Sequence, residues 1–193
     1  MSKRRPKKAV PKTDVAGRLR KALAKRRKDE LIDILVELAG EDRAALRRLA
    51  ARIELEASPE DLAAATRVAI ADATDFDERD INRNFDYDYE AYDEVKRNLG
   101  RLIDQGELRS AMELSLELMK QGSYQVEMSD EGLMTQDIEE CLAVVLQAIK
   151  KSMLPPAEVV AWCAAMSKTD RVGCIYEREL GALRKHFESL RPQ

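Results

Sequence analysis

The sequence predicts an all-α protein, and three observations carry that expectation. Charged residues make up 36% of the chain and aromatics only 5%, with Ala, Leu, Glu and Arg abundant. These side chains keep most of their freedom in a helix, so the composition favours helix over sheet. Apolar residues recur at spacings of three and four, the period of a helix face rather than of a strand. The eight glycines and six prolines are few enough to leave long uninterrupted segments. At 193 residues the chain suffices for a sizeable core. We expect a basic tail over residues 1–12 and a single helical domain over 13–190, with an acidic connector at 75–88.

The elements follow in order. "MSKRRPKKAVPK" lacks periodicity, contains Pro6 and Pro11, and reads as disordered in isolation. Thr13 is placed to cap a helix with a narrow stripe of Val15, Leu19 and Leu23. "KDELIDILVELAG" sets Leu31, Ile34, Leu35 and Leu38 on one face, with Gly40 suited to the left-handed position that ends a helix. Glu41 and Asp42 then open a helix carrying Leu46, Leu49, Ala50 and Ile53. So short a connection predicts an antiparallel hairpin.

Ser58 followed by Pro59 and two acids is a strong helix start, with Leu62, Ala65, Ala69 and Ala73 forming a small-residue face. After the connector, Tyr92, Val95, Leu99 and Leu102 oppose Leu108, Ala111, Met112, Ser115 and Met119 across Gly106, with Gly122 as the stop. Asp130 or Thr135 caps the next helix, whose buried face is Ile138, Cys141, Leu142, Val145 and Ile149. Pro155 and Pro156 end it and preset another, which carries Val159, Val160, Cys163 and Met166. "KTDRVG" turns the chain into a last helix with Tyr176, Leu180, Leu183 and Phe187. The expected architecture is an irregular alpha-solenoid-like stack of antiparallel helix pairs of the HEAT/TPR kind, with eight or nine helices. The pairs begin near positions 30, 89 and 136, so no fixed repeat period holds.

Charge is distributed unevenly. Residues 1–28 hold 13 Lys/Arg and one acid, a net of +12, and the remaining residues hold 20 Lys/Arg and 35 acids, a net of −15. A cationic arm precedes an acidic body. Lys3, Arg4, Arg5, Lys7, Lys8 and Lys12 are candidate contacts for nucleic acid or an acidic partner. The acidic connector offers Asp75, Asp77, Glu78, Asp80, Asp86 and Asp88 as candidate contacts for a basic partner.

Counted from Asp80, the connector resembles a calcium loop in its oxygen-bearing positions. The sixth position, where the loop needs glycine, is Phe85, and the twelfth, where it needs a bidentate glutamate, is Ala91. Its alternation instead predicts an extended strap, with Ile81, Phe85, Tyr87 and Tyr89 facing inward and the acids outward.

No reaction chemistry is legible. Cys141, Cys163 and Cys174 show no CxxC or CxC spacing and read as buried thiols in a reducing compartment. The only histidine, His186, sits near the end of the last helix, where the helix dipole favours a cation. Neither GxxxxGK[ST] nor GxGxxG occurs, and neither does HExxH. Trp162 and the methionines Met112, Met119, Met128 and Met134 read as core. We expect no cofactor, no metal, no membrane span and a cytoplasmic location.

"ELIDILVELAGEDRAALRRLAARIE" and "DYDYEAYDEVKRNLGRLIDQGELRSAMELSLELM" resemble the helical region associated with bacterial SWIM zinc-finger proteins. The resemblance covers roughly residues 28–121. It implies the helical scaffold alone, because the finger's CxC and CxH are absent. The expected function is a non-enzymatic scaffold or adaptor for protein–protein interaction, its basic arm assisting contact with an acidic partner. The alternative is a regulatory protein binding DNA or RNA through that arm.

Overall fold

The computed structural model describes residues 15–53 and 57–190. Among them the regular structure is entirely helical and comprises ten helices. That is one more than the upper expectation, and the addition lies in the connector. The chain divides into two compact units, one ending at Leu55 and one beginning at Glu56.

The first unit holds α1 (Val15–Leu23), α2 (Lys28–Glu41) and α3 (Arg43–Ile53). Gly40 does not end α2, which runs one residue further. Asp42 makes the turn instead: its backbone N–H reaches Leu38 O at 3.0 Å. Its carboxylate accepts from the N–H groups of Ala44 and Ala45, at 2.8 and 3.3 Å. One extended aspartate thus closes one helix and caps the next, and α2 and α3 pack against each other.

The second unit holds α4 (Pro59–Thr74), α5 (Glu78–Asn84), α6 (Tyr89–Asp104), α7 (Leu108–Glu127), α8 (Thr135–Lys151), α9 (Pro156–Thr169) and α10 (Glu177–Ser189). Helix α4 packs on α6 and α7, α6 on α8, α7 on α8 and α9, and α9 on α10. Ser58 caps α4 by accepting from Asp61 N at 3.1 Å, with Pro59 at the first helical position. The buried face of α4 is Leu62, Thr66, Ala69, Ile70 and Ala73. Ala65, expected inside, is exposed. Thr66 takes that row because its hydroxyl donates to Leu62 O at 2.6 Å and so needs no water.

Between α6 and α7, Glu107 N donates to Leu102 O and Gly106 N to Ile103 O, both at 2.9 Å. This paired closure requires a left-handed residue, supplied by Gly106 at φ 89°. Gly122 is not a stop. It lies buried inside α7, where an added Cβ would stand 2.7 Å from Ile138 Cδ1, so its role is the close approach of α7 and α8. Neither Asp130 nor Thr135 caps α8; Met134 occupies that position without a side-chain bond.

The core of this unit is continuous from Leu62 to Phe187. Met112, Met119 and Met134 are buried in it. So is Trp162, whose indole N–H donates to Met112 O at 2.9 Å and ties α9 to α7. Ion pairs tie helices together at the surface as well, among them Arg109 to Glu158 at 2.7 Å between α7 and α9 and Lys96 to Glu140 at 2.7 Å between α6 and α8. Each pair is solvated, so water and salt screen it and it adds little to stability.

Candidate functional site

The α2–α3 hairpin is amphipathic, yet none of its described side chains is buried. A helix face of this kind normally disappears into a core. Here Ile32, Leu35, Val36, Ala39 and Gly40 of α2 share one open groove of about 450 Å³ with Leu46, Leu49 and Ala50 of α3. Val36 is 67% exposed and Ile32 46%. The lining extends from Ile32 near the start of α2 to Ala50 near the end of α3, as two helices folded back on one another require.

Of the face expected from the sequence, Leu31, Ile34, Leu35 and Leu38, only Leu35 lines the groove. The missed signal was the second row, Ile32, Val36 and Gly40 at four-residue spacing, which widens the apolar arc of α2 beyond what α3 alone can cover.

The second unit carries a cleft of about 900 Å³. Phe76 and Tyr124 meet there with ring centroids 5.9 Å apart, and the Arg171 guanidinium lies 4.9 Å from the Tyr124 centroid. Arg171 Nε is held by Glu127 at 2.5 Å, and Thr74 Oγ1 pairs with the Gln121 side chain at 3.1 Å. Asp75, Glu78 and Lys120 complete the rim. The cleft joins an aromatic pair to charges of both signs.

The connector is not an extended strap. Asp77 accepts from the N–H groups of Arg79 and Asp80, at 2.8 and 3.3 Å, and starts α5. Alternation therefore gives way to a helical turn, and of the four residues expected inward only Ile81 is fully buried. Tyr87 is half-buried, with its hydroxyl donating to Asp137 Oδ2 at 2.7 Å. Phe85, at φ 55°, and Tyr89 are exposed.

The candidate acids are thereby placed individually. Asp75, Asp77, Glu78, Asp80 and Asp86 are exposed, and Asp88 is partly covered while capping α6 through Ala91 N at 2.9 Å. Asp80 also accepts from Asn84 at 3.2 Å. Among the described residues no group of three or more His, Cys, Asp or Glu side chains is placed to hold a metal ion. The candidate cations Lys3, Arg4, Arg5, Lys7, Lys8 and Lys12 lie outside the described residues. In α1, Arg18, Arg20 and Lys21 are exposed and continue the basic sequence.

Burial pushes the Cys141 thiol up to about 12 and the Cys163 thiol up to about 11. Cys174, expected to be buried, is exposed, because it sits in the turn before α10 rather than on a helix face. His186 is exposed in the last turn of α10, edge-on to Phe187 at 5.3 Å. Among the described helices none is long and apolar enough to cross a membrane. No protein-family model, curated protein or solved structure matches the chain.

Proposed function

We propose that the chain is a non-enzymatic, cytoplasmic helical adaptor. The α2–α3 groove receives an apolar face of another polypeptide chain, and the basic arm of residues 1–12 strengthens contact with an acidic partner. The open groove itself carries the reading: eight apolar or small residues lie together on a hairpin with no buried side chain among its described residues. The order of contacts in the second unit, α4 to α6 to α8 and α7 to α9, supports a short solenoid-like stack acting as the frame. The resemblance of residues 28–121 to the SWIM-associated helical region fits the same role of scaffold.

A photoreactive residue at Val36, compared with one at Tyr89 on the second unit, tests the adaptor. The expected result is interchain adducts from Val36 that disappear in Leu35→Asp. Adducts confined to the same chain would overturn it.

A second reading, nucleic-acid regulation, is favoured by the net +12 of residues 1–28 and the exposed Arg18, Arg20 and Lys21. Its signature is binding to duplex or single-stranded DNA that weakens steeply with salt and is lost on deleting residues 1–12. Undetectable binding by the full chain at low salt would remove it.

A further inference from the structure

We propose that α1 anchors the chain to the surface of an anionic lipid bilayer. Its apolar face enters the interface, and the arginines at the borders of that face meet the headgroup phosphates. The proposal is independent of the α2–α3 groove. Its basis is a helix that lays out an apolar arc and a set of cations and uses neither among the described residues.

The apolar residues of α1 are Val15, Ala16, Leu19, Ala22 and Leu23, and its charged residues are Arg18, Arg20 and Lys21, with no acid. At about 100° per residue the apolar positions fall within one arc of about 120°. Arg18 borders this arc on one side and Arg20 on the other, and Lys21 lies on the back of the helix. A face of this kind normally packs into a core. In α1 no residue is buried. Val15 is 66% exposed and Leu19 57%, and α1 packs closely on none of the other described helices.

The cations are open as well. Arg18, Arg20 and Lys21 are exposed, as are Lys25 and Arg26 in the turn that follows. None of the five forms an ion pair among the described residues, whereas Arg27, next in the chain, pairs with Glu30 at 3.8 Å. From Lys3 to Lys28 the charges are of one sign except for Asp14.

That distribution selects the occupant. A nucleic-acid duplex engages the cations and leaves Val15 and Leu19 in water. A folded protein partner is met through charges of both signs that fix its register, and this stretch has no such pattern. An anionic bilayer is a sheet of unpatterned charge over an apolar interior, and it engages both features. The aliphatic side chains enter the acyl boundary, while Arg18 and Arg20 lay their stems along it and raise their guanidinium groups to the phosphates.

At about 1.5 Å per residue α1 is about 13 Å long, under half of the roughly 30 Å of bilayer hydrocarbon, so it lies along the surface. Val15, Leu19 and Leu23 alone hold weakly, and charge supplies the second signal. Attachment is therefore reversible and requires anionic lipid.

Flotation of the full chain with vesicles tests the anchor, with dichroism to confirm that each variant stays helical. Binding is expected to phosphatidylcholine vesicles that contain phosphatidylserine, not to phosphatidylcholine alone, and to weaken with salt. Val15→Ser with Leu19→Ser keeps every charge and is expected to weaken vesicle binding at least about tenfold, with no effect on any binding to duplex DNA. In a second measurement, Leu19→Trp fluorescence is expected to be quenched by lipids brominated in their acyl chains. Trp162 is buried in the second unit and adds a constant background.

No binding to the charged vesicles at low salt overturns the proposal, and duplex binding in its place assigns the cations to nucleic acid. Vesicle binding that survives Val15→Ser/Leu19→Ser, or a Leu19→Trp signal that stays unquenched, means adsorption by charge alone and overturns the anchor as well. Equal binding to uncharged vesicles removes the arginines from the interaction and overturns it too.

Discussion

The Tyr92 hydroxyl donates to Gln125 Oε1 across 2.5 Å, and Gln125 Nε2 donates in turn to Ala73 O at 3.1 Å. All three residues are buried, and the chain of bonds joins α6, α7 and α4 at the centre of the second unit. Burial raises the phenol far above its ordinary pKa, so the proton needed for the bond stays in place. Tyr92→Phe leaves the buried Gln125 oxygen without this donor. A loss of about 1–3 kcal/mol is expected in urea denaturation. Unchanged stability would mean that water replaces the hydroxyl.

Packing at Gly122 gives a second prediction. An added Cβ would meet Ile138 Cδ1 at 2.7 Å and Cγ1 at 3.2 Å. Gly122→Ala gains up to about 1 kcal/mol of helix propensity, against about 1–3 kcal/mol for overpacking, so the net change is destabilising. Ile138→Val removes the nearer atom. The double variant is therefore expected to be more stable than the two single losses sum to, and a double-mutant cycle in denaturant measures that coupling. Strict additivity would show that the helices separate rather than clash.

Much of this interior was legible because both its period and its caps were local. Tyr92, Val95, Leu99 and Leu102 are all buried, as their spacing requires. Ser58 and Pro59 open α4 where a serine–proline pair with following acids says they should. The connector was misread for a related reason. Its alternation of acid and aromatic residues is a two-residue period, but Asp77 satisfies two successive backbone donors and nucleates a helix before that alternation can act. Gly122 was misread because a packing glycine and a terminating glycine look alike until the facing residue, Ile138, is known. The groove depends on Ile32 and Val36 staying exposed among the described residues, and residue spacing does not encode what covers a face.

Alkaline pH should loosen the contact between the connector and α8. Desolvation, and then the hydrogen bond to Asp137, push Tyr87 from 10.0 up to about 12. A folded-state pKa above the unfolded one gives stabilisation that is complete below pH 10.0 and disappears as pH rises toward about 12. Stability measured through that window is expected to fall for the full chain and to fall less steeply for Tyr87→Phe. Identical slopes would place the alkaline loss elsewhere, with the Cys141 thiol next in line because it too is raised, from 9.0 to about 12.

The three thiols should separate by accessibility. Cys174 is exposed, whereas Cys141 and Cys163 are buried and held above their ordinary pKa by desolvation. A disulfide reagent attacks thiolates it can reach. One thiol per chain is expected to react promptly in the native state and the other two only on unfolding. Cys174→Ser should abolish the prompt phase, and a remaining prompt phase would show that a helix face opens without global unfolding.

Asn82 decides whether α5 is part of the folded body or an ornament on it. Its side-chain nitrogen donates to Met128 O at 3.1 Å, and its oxygen accepts from Asp130 N at 2.8 Å. One amide thereby clamps the seven-residue α5 to the turn after α7. A helix that short is unstable alone, and its only fully buried side chain is Ile81. Asn82→Ala removes both bonds and leaves Ile81 in place, so the loss should appear as local opening rather than global unfolding. Amide exchange is expected to accelerate through residues 78–84 and at Asp130, while the centres of α6 and α7 keep their protection. If α5 retains its protection, burial of Ile81 and the Asp77 cap alone hold the connector helix, and the amide clamp is redundant.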